Sequence, residues 1–234
     1  MQTNFVNNID DVLISTDLVV VKERSLIDKK KVYMTVKRTY DLVISGMALI
    51  VLAPIMLFIC LLIKIDSKGP AILVQERIGE NGKIFKMYKY RSMVVGADKL
   101  LDKYLKENEE ARKEYKKYKK LQNDPRVTKI GKIIRKTSID GLPQLINVFV
   151  GNMSLVGPRP YLPREKEDMK NLYNDIVKSK PGITGIWQVS GRNDISFDKR
   201  LEMDYTYNSD KSTMYDIKIL LKTFKKVLEK EGAR

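Results

Sequence analysis

Residues 42–63, LVISGMALIVLAPIMLFICLLI, contain no charged side chain, and their reading decides what kind of protein this is. At 1.5 Å of rise per residue, a helix of this length reaches across the ~30 Å hydrocarbon core of a bilayer. The run starts too far from the N-terminus, and is too long, for a cleaved leader. It is apolar on all sides, unlike the one-sided stripe of a helix on a soluble core. Pro54 lies in its middle, where the missing N–H and the ring clash kink or break a helix. Lys29, Lys30, Lys31, Lys37 and Arg38 precede the run, and Lys64 and Lys68 follow it. Positive residues collect on the cytoplasmic side, so a simple span leaves one basic flank on the wrong face. A helix that enters, breaks at Pro54 and returns to the same leaflet satisfies both flanks. Both courses fit the length, and the charge pattern favours the re-entrant one. Backbone groups freed at the bend need an internal partner, and Ser45 is too far upstream to be an obvious one.

Composition narrows the chemistry. The 234 residues suffice for one domain with a real core, and the net charge of +15 calls for a polyanionic partner: nucleic acid, anionic lipid or a phosphorylated substrate. Histidine is absent. Ser-His-Asp and Cys-His catalysis, histidine-ligated zinc and the imidazole general base are thereby excluded. The one cysteine, Cys60, lies inside the apolar run, so neither a disulfide nor a thiolate cluster can form within the chain. Acid, base or nucleophile chemistry falls to Asp, Glu, Lys, Tyr, Ser or Thr. Nucleic acid is not an expected partner, because it leaves the apolar run unexplained.

Downstream of the run, residues 70–93 read as two strands joined by a turn at Gly79 to Gly82, with Asn81-Gly82 as the hairpin signal. Lys86, Lys89 and Arg91 alternate there with Phe85, Tyr88 and Tyr90, a pattern that suits nucleotide binding or an exposed strand face. Residues 97–121 read as one amphipathic helix, with Leu101, Tyr104, Leu105, Ala111, Tyr115 and Tyr118 near one stripe. A second closes the chain, with Ile217, Leu220, Leu221, Phe224, Val227 and Leu228 on one side, a face for core or interface packing. Val19 to Val21 adds a strand or stays loose. The expected class is α+β, mainly helical: a membrane-associated single domain with a Pro-broken re-entrant N-terminal helix, a small β-hairpin and amphipathic interfacial helices. Its divisions are an N-terminal tail (1–36), the membrane-inserted helix (37–66) and a cytosolic catalytic body (67–234).

Within that body, Thr137 and Ser138 read as N-cap candidates for a helix carrying Asp140 in its first turn. Pro143 is tolerated there, Leu142, Leu145, Ile146 and Phe149 supply an apolar face, and the helix ends near Gly151. A helix start and the cations Arg135 and Lys136 hold such a carboxylate ionised, and the same N–H groups can receive a phosphate. Locally, Asp140 is either a plain helix cap or an anionic group at a phosphate site.

Eight motifs in order carry a resemblance: KRTYD at 37–41, the apolar run with Pro54, GPAILVQERIG at 69–79, KYRSM at 89–93, NDPRVTKIG at 123–131, RKTSIDGLPQLINV at 135–148, MSLVGPRP at 153–160 and KPGITGIWQVSGR at 180–192. From Lys37 to about Thr223 the chain resembles the bacterial sugar transferases, the membrane-bound polyprenyl-phosphate phosphoglycosyl transferases. It looks like their catalytic unit alone, without the extra N-terminal membrane helices of the larger members.

The resemblance implies transfer of a sugar 1-phosphate from a UDP-sugar to undecaprenyl phosphate at the cytoplasmic face of the bacterial inner membrane, with UMP released. The aspartate of the family's TSxDELPQ motif is the nucleophile, and that position is Asp140, also the implied Mg²⁺ ligand. Arg159, Arg192, Gln188, Lys89 and Arg91 are the implied substrate contacts, while Gly157, Pro158 and Pro160 shape the loop that aims Arg159. Lys37 and Arg38 are placed at the membrane surface, on lipid headgroups or the acceptor phosphate. Anionic lipids and a second copy of the chain, as a homodimer, complete the expected partners. The helical insertion at 97–121 points to a hexose donor, UDP-galactose or UDP-glucose. One departure stands out: where the family has Asp-Glu, this chain has Asp140-Gly141. Glutamate there would bind metal or assist proton transfer, and the Ser-x-x-Glu spacing would make a capping box with Ser138. Another carboxylate (Glu76, Asp124 or Asp194) replaces it, or the enzyme is slow, or the chain is an inactive scaffold. Reduced but real activity is the expectation.

Overall fold

The computed structural model describes the backbone of residues 4–119, 121–191 and 195–229, and the side chains of 28–119, 121–191 and 195–226. The chain forms two compact units, Met1–Tyr40 and Asp41–Arg234. Helix α1 spans Asn4–Asp66. Val19 to Val21 is therefore helical, not a strand or a loose segment, because β propensity is weak and helix-forming neighbours override it where no partner strand is supplied. In the smaller unit Lys37 Nζ donates to Tyr40 Oη at 3.1 Å and stands over the Tyr33 and Tyr40 rings.

The helix carries Pro54 inside it and continues past it, so the break expected at Pro54 does not interrupt α1. The stretch Asp28–Asp66 is long and apolar enough to cross a membrane. Within the larger unit α1 has two sides. Asp41, Ser45, Ile59 and Ile63 are buried, whereas Met47, Ile50, Val51, Leu57 and Ile65 are 63–78% exposed. Gly46 admits the ring of Phe149, whose Cε2 would lie 3.2 Å from a Cβ placed there.

Strands β1 (Ile72–Ile78) and β2 (Ile84–Tyr90) pair antiparallel, with Ile78 opposite Ile84 and Ile72 opposite Tyr90. The expected turn is present, and Asn81 and Gly82 take φ of 56° and 76°, as Asn-Gly does at low cost. Ala71 and Tyr90 at the far end of the hairpin pack with Ile59 and Ile63 of α1 and with Ile134, and Tyr90 Oη donates to the Met56 carbonyl at 3.0 Å.

The 97–121 segment is two helices, α2 (Ala97–Glu107) and α3 (Glu109–Tyr118). Asn108 divides them: it is extended, and its side chain accepts from Ala111 N at 2.9 Å, capping α3. The predicted stripe closes on itself, with Leu101, Ala111 and Leu121 buried among Tyr104, Leu105 and Tyr115.

Helix α4 (Lys129–Lys136) and the short α5 (Gln144–Phe149) follow. Strand β3 (Ser154–Val156) pairs in parallel with β4 (Gly182–Thr184), a pairing that three-residue strands do not announce. Gly182 is required there, since a Cβ would stand 2.1 Å from Gly157 N. Between these strands the short helix α6 (Tyr173–Ile176) packs into the core of Ile78, Tyr161, Met169, Ile176, Phe197 and Leu201. Helices α7 (Ile186–Ser190), α8 (Phe197–Asp210) and α9 (Thr213–Glu229) complete the body. On α9 the buried residues are Asp216 and Ile219, while Met214, Ile217, Leu221 and Phe224 are exposed. The predicted apolar stripe thus faces away from the body's core. The Val227 and Leu228 side chains lie outside the described residues.

Candidate active site

Asp140 is presented by a reversal, not by a capped helix. Thr128 caps α4, its Oγ1 accepting from Gly131 N at 3.0 Å, and α4 packs Ile130 and Ile134 against the α1 face that holds Ile59 and Ile63. That packing carries the helix through Lys136, so Thr137 falls at its C-terminal end, where its Oγ1 donates back to the Ile133 carbonyl at 2.8 Å. Ser138 then turns left-handed (φ 58°, ψ 21°), the conformation that stops helices, at a cost of roughly 1–2 kcal/mol for a residue with a Cβ. Neither residue is the expected N-cap. An N-cap is extended, so a glutamate at 141 would not form the capping box with Ser138 either. Asp140 sits in the 3₁₀ turn Ile139–Gly141, and α5 begins after Pro143 and ends before Gly151, near where the sequence placed its end.

The groups acting on this carboxylate are cationic. Lys89, at the end of β2, is pushed down to about 7, first by burial and then by Arg77, with Asp140 opposing; Arg159 and Arg135 also lower it. Arg135, at the end of α4, donates through Nε to Ser92 Oγ at 2.9 Å; burial lowers its pKa, while Asp124 and Asp140 raise it. Arg77 of β1 is buried, donates to the Pro160 carbonyl at 2.8 Å and Gln75 Oε1 at 2.7 Å, and is pushed down to about 9 by burial and then Arg159. Arg159 lies over the Tyr161 and Trp187 rings at 5.9 and 5.7 Å, with Nη2 3.9 Å from Glu165 Oε1. Cations that depress one another's pKa values, with Asp140 acting on Lys89 and Arg135 and with Glu165 and Asp124 beside Arg159 and Arg135, form a site suited to an anion carrying several charges, such as a diphosphate.

The Arg159 loop is fastened from behind by Asp204 of α8. This fully buried carboxylate accepts from Arg159 N at 2.9 Å and from Tyr161 Oη at 2.7 Å, and burial pushes it up to about 7. Asp204 went unpredicted, although its signal is in the sequence: Arg200, Leu201, Asp204 and Tyr207 recur at helical spacing, and charges at core positions of a stripe demand partners. Arg77 was also unpredicted, and its sign is a charge on a strand that otherwise ends in buried Ile78.

Of the predicted residues, Lys89 and Arg159 share the electrostatic environment of Asp140. Arg91 is used elsewhere: it is buried, and its two terminal nitrogens donate to the carbonyls of Ser67, at 2.7 Å, and Lys68. It ties the exit of α1 to β2. Gln188, half-buried on α7, donates to the Ile183 carbonyl at 3.4 Å. Lys37 and Arg38 belong to the smaller unit. Arg192 and Asp194 lie outside the described residues. Glu76 is exposed on β1 opposite Lys86. Asp124 is occupied by Arg126, which binds both its oxygens at 2.6–2.7 Å and holds its pKa low against the effect of burial. Among the described residues no three Asp, Glu or Cys side chains converge. Mg²⁺ is commonly held by one or two carboxylates together with substrate phosphates. Asp140 offers one such carboxylate, which suits a metal arriving with a diphosphate better than a resident one.

Residues 32–230 match a family described as bacterial sugar transferase. The chain belongs to that family. It is 47% identical over 197 residues to the undecaprenyl-phosphate galactose phosphotransferase of Salmonella typhimurium, covering 84% of this chain and 41% of that protein. The exopolysaccharide production protein ExoY of Sinorhizobium fredii is 41% identical, over 84% of this chain and 87% of its own length. The UDP-glucose:undecaprenyl-phosphate glucose-1-phosphate transferase of Escherichia coli is 39% identical over 80% of this chain and 39% of its own. This bacterial sugar transferase therefore spans well under half the length of two of these three relatives and most of the third.

Proposed function

We propose that this bacterial sugar transferase moves a sugar 1-phosphate from a UDP-sugar to undecaprenyl phosphate, at the cytoplasmic face of the bacterial inner membrane, as the first membrane step of exopolysaccharide, capsule or O-antigen synthesis. The observation that carries this reading is the Asp140 carboxylate acting on Lys89 and Arg135, with Arg77 and Arg159 acting on the same Lys89, in a chain whose relatives are named for that transfer.

The Asp140 carboxylate attacks the phosphorus that bears the sugar. A bond forms from its oxygen to that phosphorus, the bond to the bridging oxygen breaks, and UMP departs with that oxygen. An oxygen of undecaprenyl phosphate then attacks the same phosphorus, the aspartyl bond breaks, and the carboxylate is regenerated. No general base is needed in the first step, which fits a chain without histidine. Nucleophile and substrate are both anionic, so the guanidinium and ammonium groups lower the barrier by neutralising charge as it develops. Mg²⁺ bound with the diphosphate and Asp140 would add Lewis-acid charge stabilisation.

The re-entrant course of α1 has support from its two ends. Asp41 Oδ1 accepts from Leu155 N of β3 at 2.9 Å, and Asp66 Oδ2 accepts from Ile130 N of α4 at 3.1 Å. Both ends of the apolar stretch are fastened to one compact unit, an arrangement suited to a segment whose ends share one side of a membrane. The exposed stripe of Met214, Ile217, Leu221 and Phe224 on α9, beside Lys218, Lys222 and Lys225, suits an interfacial helix. Lys37 and Arg38 meet headgroup or acceptor phosphate. The donor is a UDP-hexose, galactose or glucose.

Purified protein with Mg²⁺, undecaprenyl phosphate and a panel of UDP-sugars tests this reading. UMP and a lipid-linked sugar are expected from one hexose donor, with label from that donor trapped on Asp140 when acceptor is withheld. Release of no UMP from any donor favours the scaffold reading, which Gly141 motivates.

A further inference from the structure

Asn147 of α5 is fully buried, and its amide meets the outer edge of β2 twice: Oδ1 accepts from Tyr88 N at 2.9 Å and Nδ2 donates to the Lys86 carbonyl at 2.7 Å. On this strand the odd residues face β1, as the bond from Arg91 N to the Ala71 carbonyl shows. The polar groups of Lys86 and Tyr88 therefore point the other way, toward an edge without a strand. A neighbouring strand residue opposite Met87 would bond to those same two groups. One asparagine amide supplies both, so the side chain stands in for a residue of a third strand.

Its placement joins the two halves of the site. Lys89 lies two residues beyond Met87 on the strand that Asn147 grips, and Asp140 lies in the turn that leads through Pro143 directly into α5. We propose that Asn147 is a positioning residue for the transfer, a strand-mimicking clamp that sets the register of the Asp140 turn against Lys89. This rests on the reading of Asp140 as nucleophile. The amide is the side chain that fits: it has a donor and an acceptor at strand spacing, whereas aspartate has no donor for the Lys86 carbonyl, and leucine leaves both backbone groups buried and unpaired. Glutamine keeps the chemistry but adds a methylene, which displaces α5 from β2 by about 1 Å, enough to cost about 100-fold in rate when reacting groups are misaligned.

The test compares wild type, Asn147→Gln and Asn147→Asp in UMP release, with Asp216→Asn as a control for stability. Asp216 belongs to a separate buried pair, accepting from Tyr207 Oη at 2.7 Å. For Asn147→Gln, kcat per folded molecule falls about 10- to 100-fold with KM changed less than about threefold. Asn147→Asp falls further, and Asp216→Asn loses thermal stability without that fall in kcat. An unchanged kcat in Asn147→Gln overturns the proposal. A second readout needs no turnover. In a Cys60→Ser background carrying Lys89→Cys and Asp140→Cys, a short bis-maleimide links the two thiols, and adding Asn147→Gln slows the linking severalfold. Equal linking rates overturn the clamp. Failure of the transfer reading looks different, with wild type releasing no UMP while the linking rates still differ.

Discussion

Replacing Gly141 by glutamate asks whether the site is short of a carboxylate. A Cβ at position 141 meets only Gln144, Nε2 at 3.4 Å and Cδ at 3.9 Å, which is ordinary contact, and Gly141 is not among the residues with positive φ. The side chain enters without strain. Loss of glycine's freedom in the unfolded chain stabilises the fold by ~0.4–1 kcal/mol, which for a chain of this size raises Tm by roughly 1–4 °C. The new carboxylate also adds one negative charge beside Asp140, near the mutually repelling cations Lys89, Arg77, Arg135 and Arg159, and on the proposed reading it would offer Mg²⁺ a second oxygen ligand. The expected result in a UMP-release assay is a rise in turnover of about tenfold or more, equivalent to ~1.4 kcal/mol of barrier, with half-saturation at lower Mg²⁺. Unchanged turnover and Mg²⁺ dependence, in a preparation where Asp140→Asn is inactive, would refute the idea that the missing glutamate limits the reaction. A fall in Tm would refute the steric reasoning.

Asp140→Asn is expected to abolish both UMP release and the labelled enzyme intermediate while leaving the melting temperature within a few degrees, as both assays on one preparation would show. On the proposed reading, Lys89, at about 7, would hold the donor diphosphate only when protonated, so KM for the UDP-sugar is expected to rise as pH passes upward through about 7, and Lys89→Met to remove that dependence. The same shift has a stability sign: the unfolded chain binds this proton more tightly, so the group's contribution to stability rises with pH between about 7 and 10.5, and its full cost is present and constant below about 7. Arg91→Ala, which removes the two bonds to the Ser67 and Lys68 carbonyls, lowers stability by about 2–4 kcal/mol in denaturant melts without a matching rise in KM, whereas Arg159→Ala raises KM. Asn108→Ala costs ~1 kcal/mol through loss of the α3 cap, read from the same melts.

Features encoded within a few residues were legible in advance. The apolar run, the Asn81-Gly82 turn with its flanking strands and the amphipathic character of 97–121 follow from local composition and period, and the structure contains each of them. The readings that failed depended on competition between neighbours. Asn108 has a side chain that caps more strongly than it extends a helix, so one helix became two. Thr137 and Ser138 have the composition of an N-cap, but α4 arrives from upstream and uses them for its own ending. On α9 the exposed stripe and the buried Asp216 and Ile219 face opposite ways, and period alone does not say which face the body covers.

From the residues alone come the class of chemistry and its setting. With no histidine and one cysteine inside an apolar segment, the chemistry falls to Asp, Glu, Lys, Tyr, Ser or Thr, and a chain of +15 charge is suited to phosphate at a membrane surface; the choice of Asp140 among these comes from the family resemblance. Which cations gather near Asp140 is decided by packing. Arg77, Lys89, Arg135 and Arg159 come from β1, β2, α4 and the loop after β3, and no local rule measures the distance between such segments. The same packing turns Arg91 away to the Ser67 and Lys68 carbonyls, although it stands two residues from Lys89. Successive side chains and backbone groups of a strand face different neighbours, and only the folded arrangement of those neighbours places one cation in the electrostatic environment of Asp140 and the next on the scaffold.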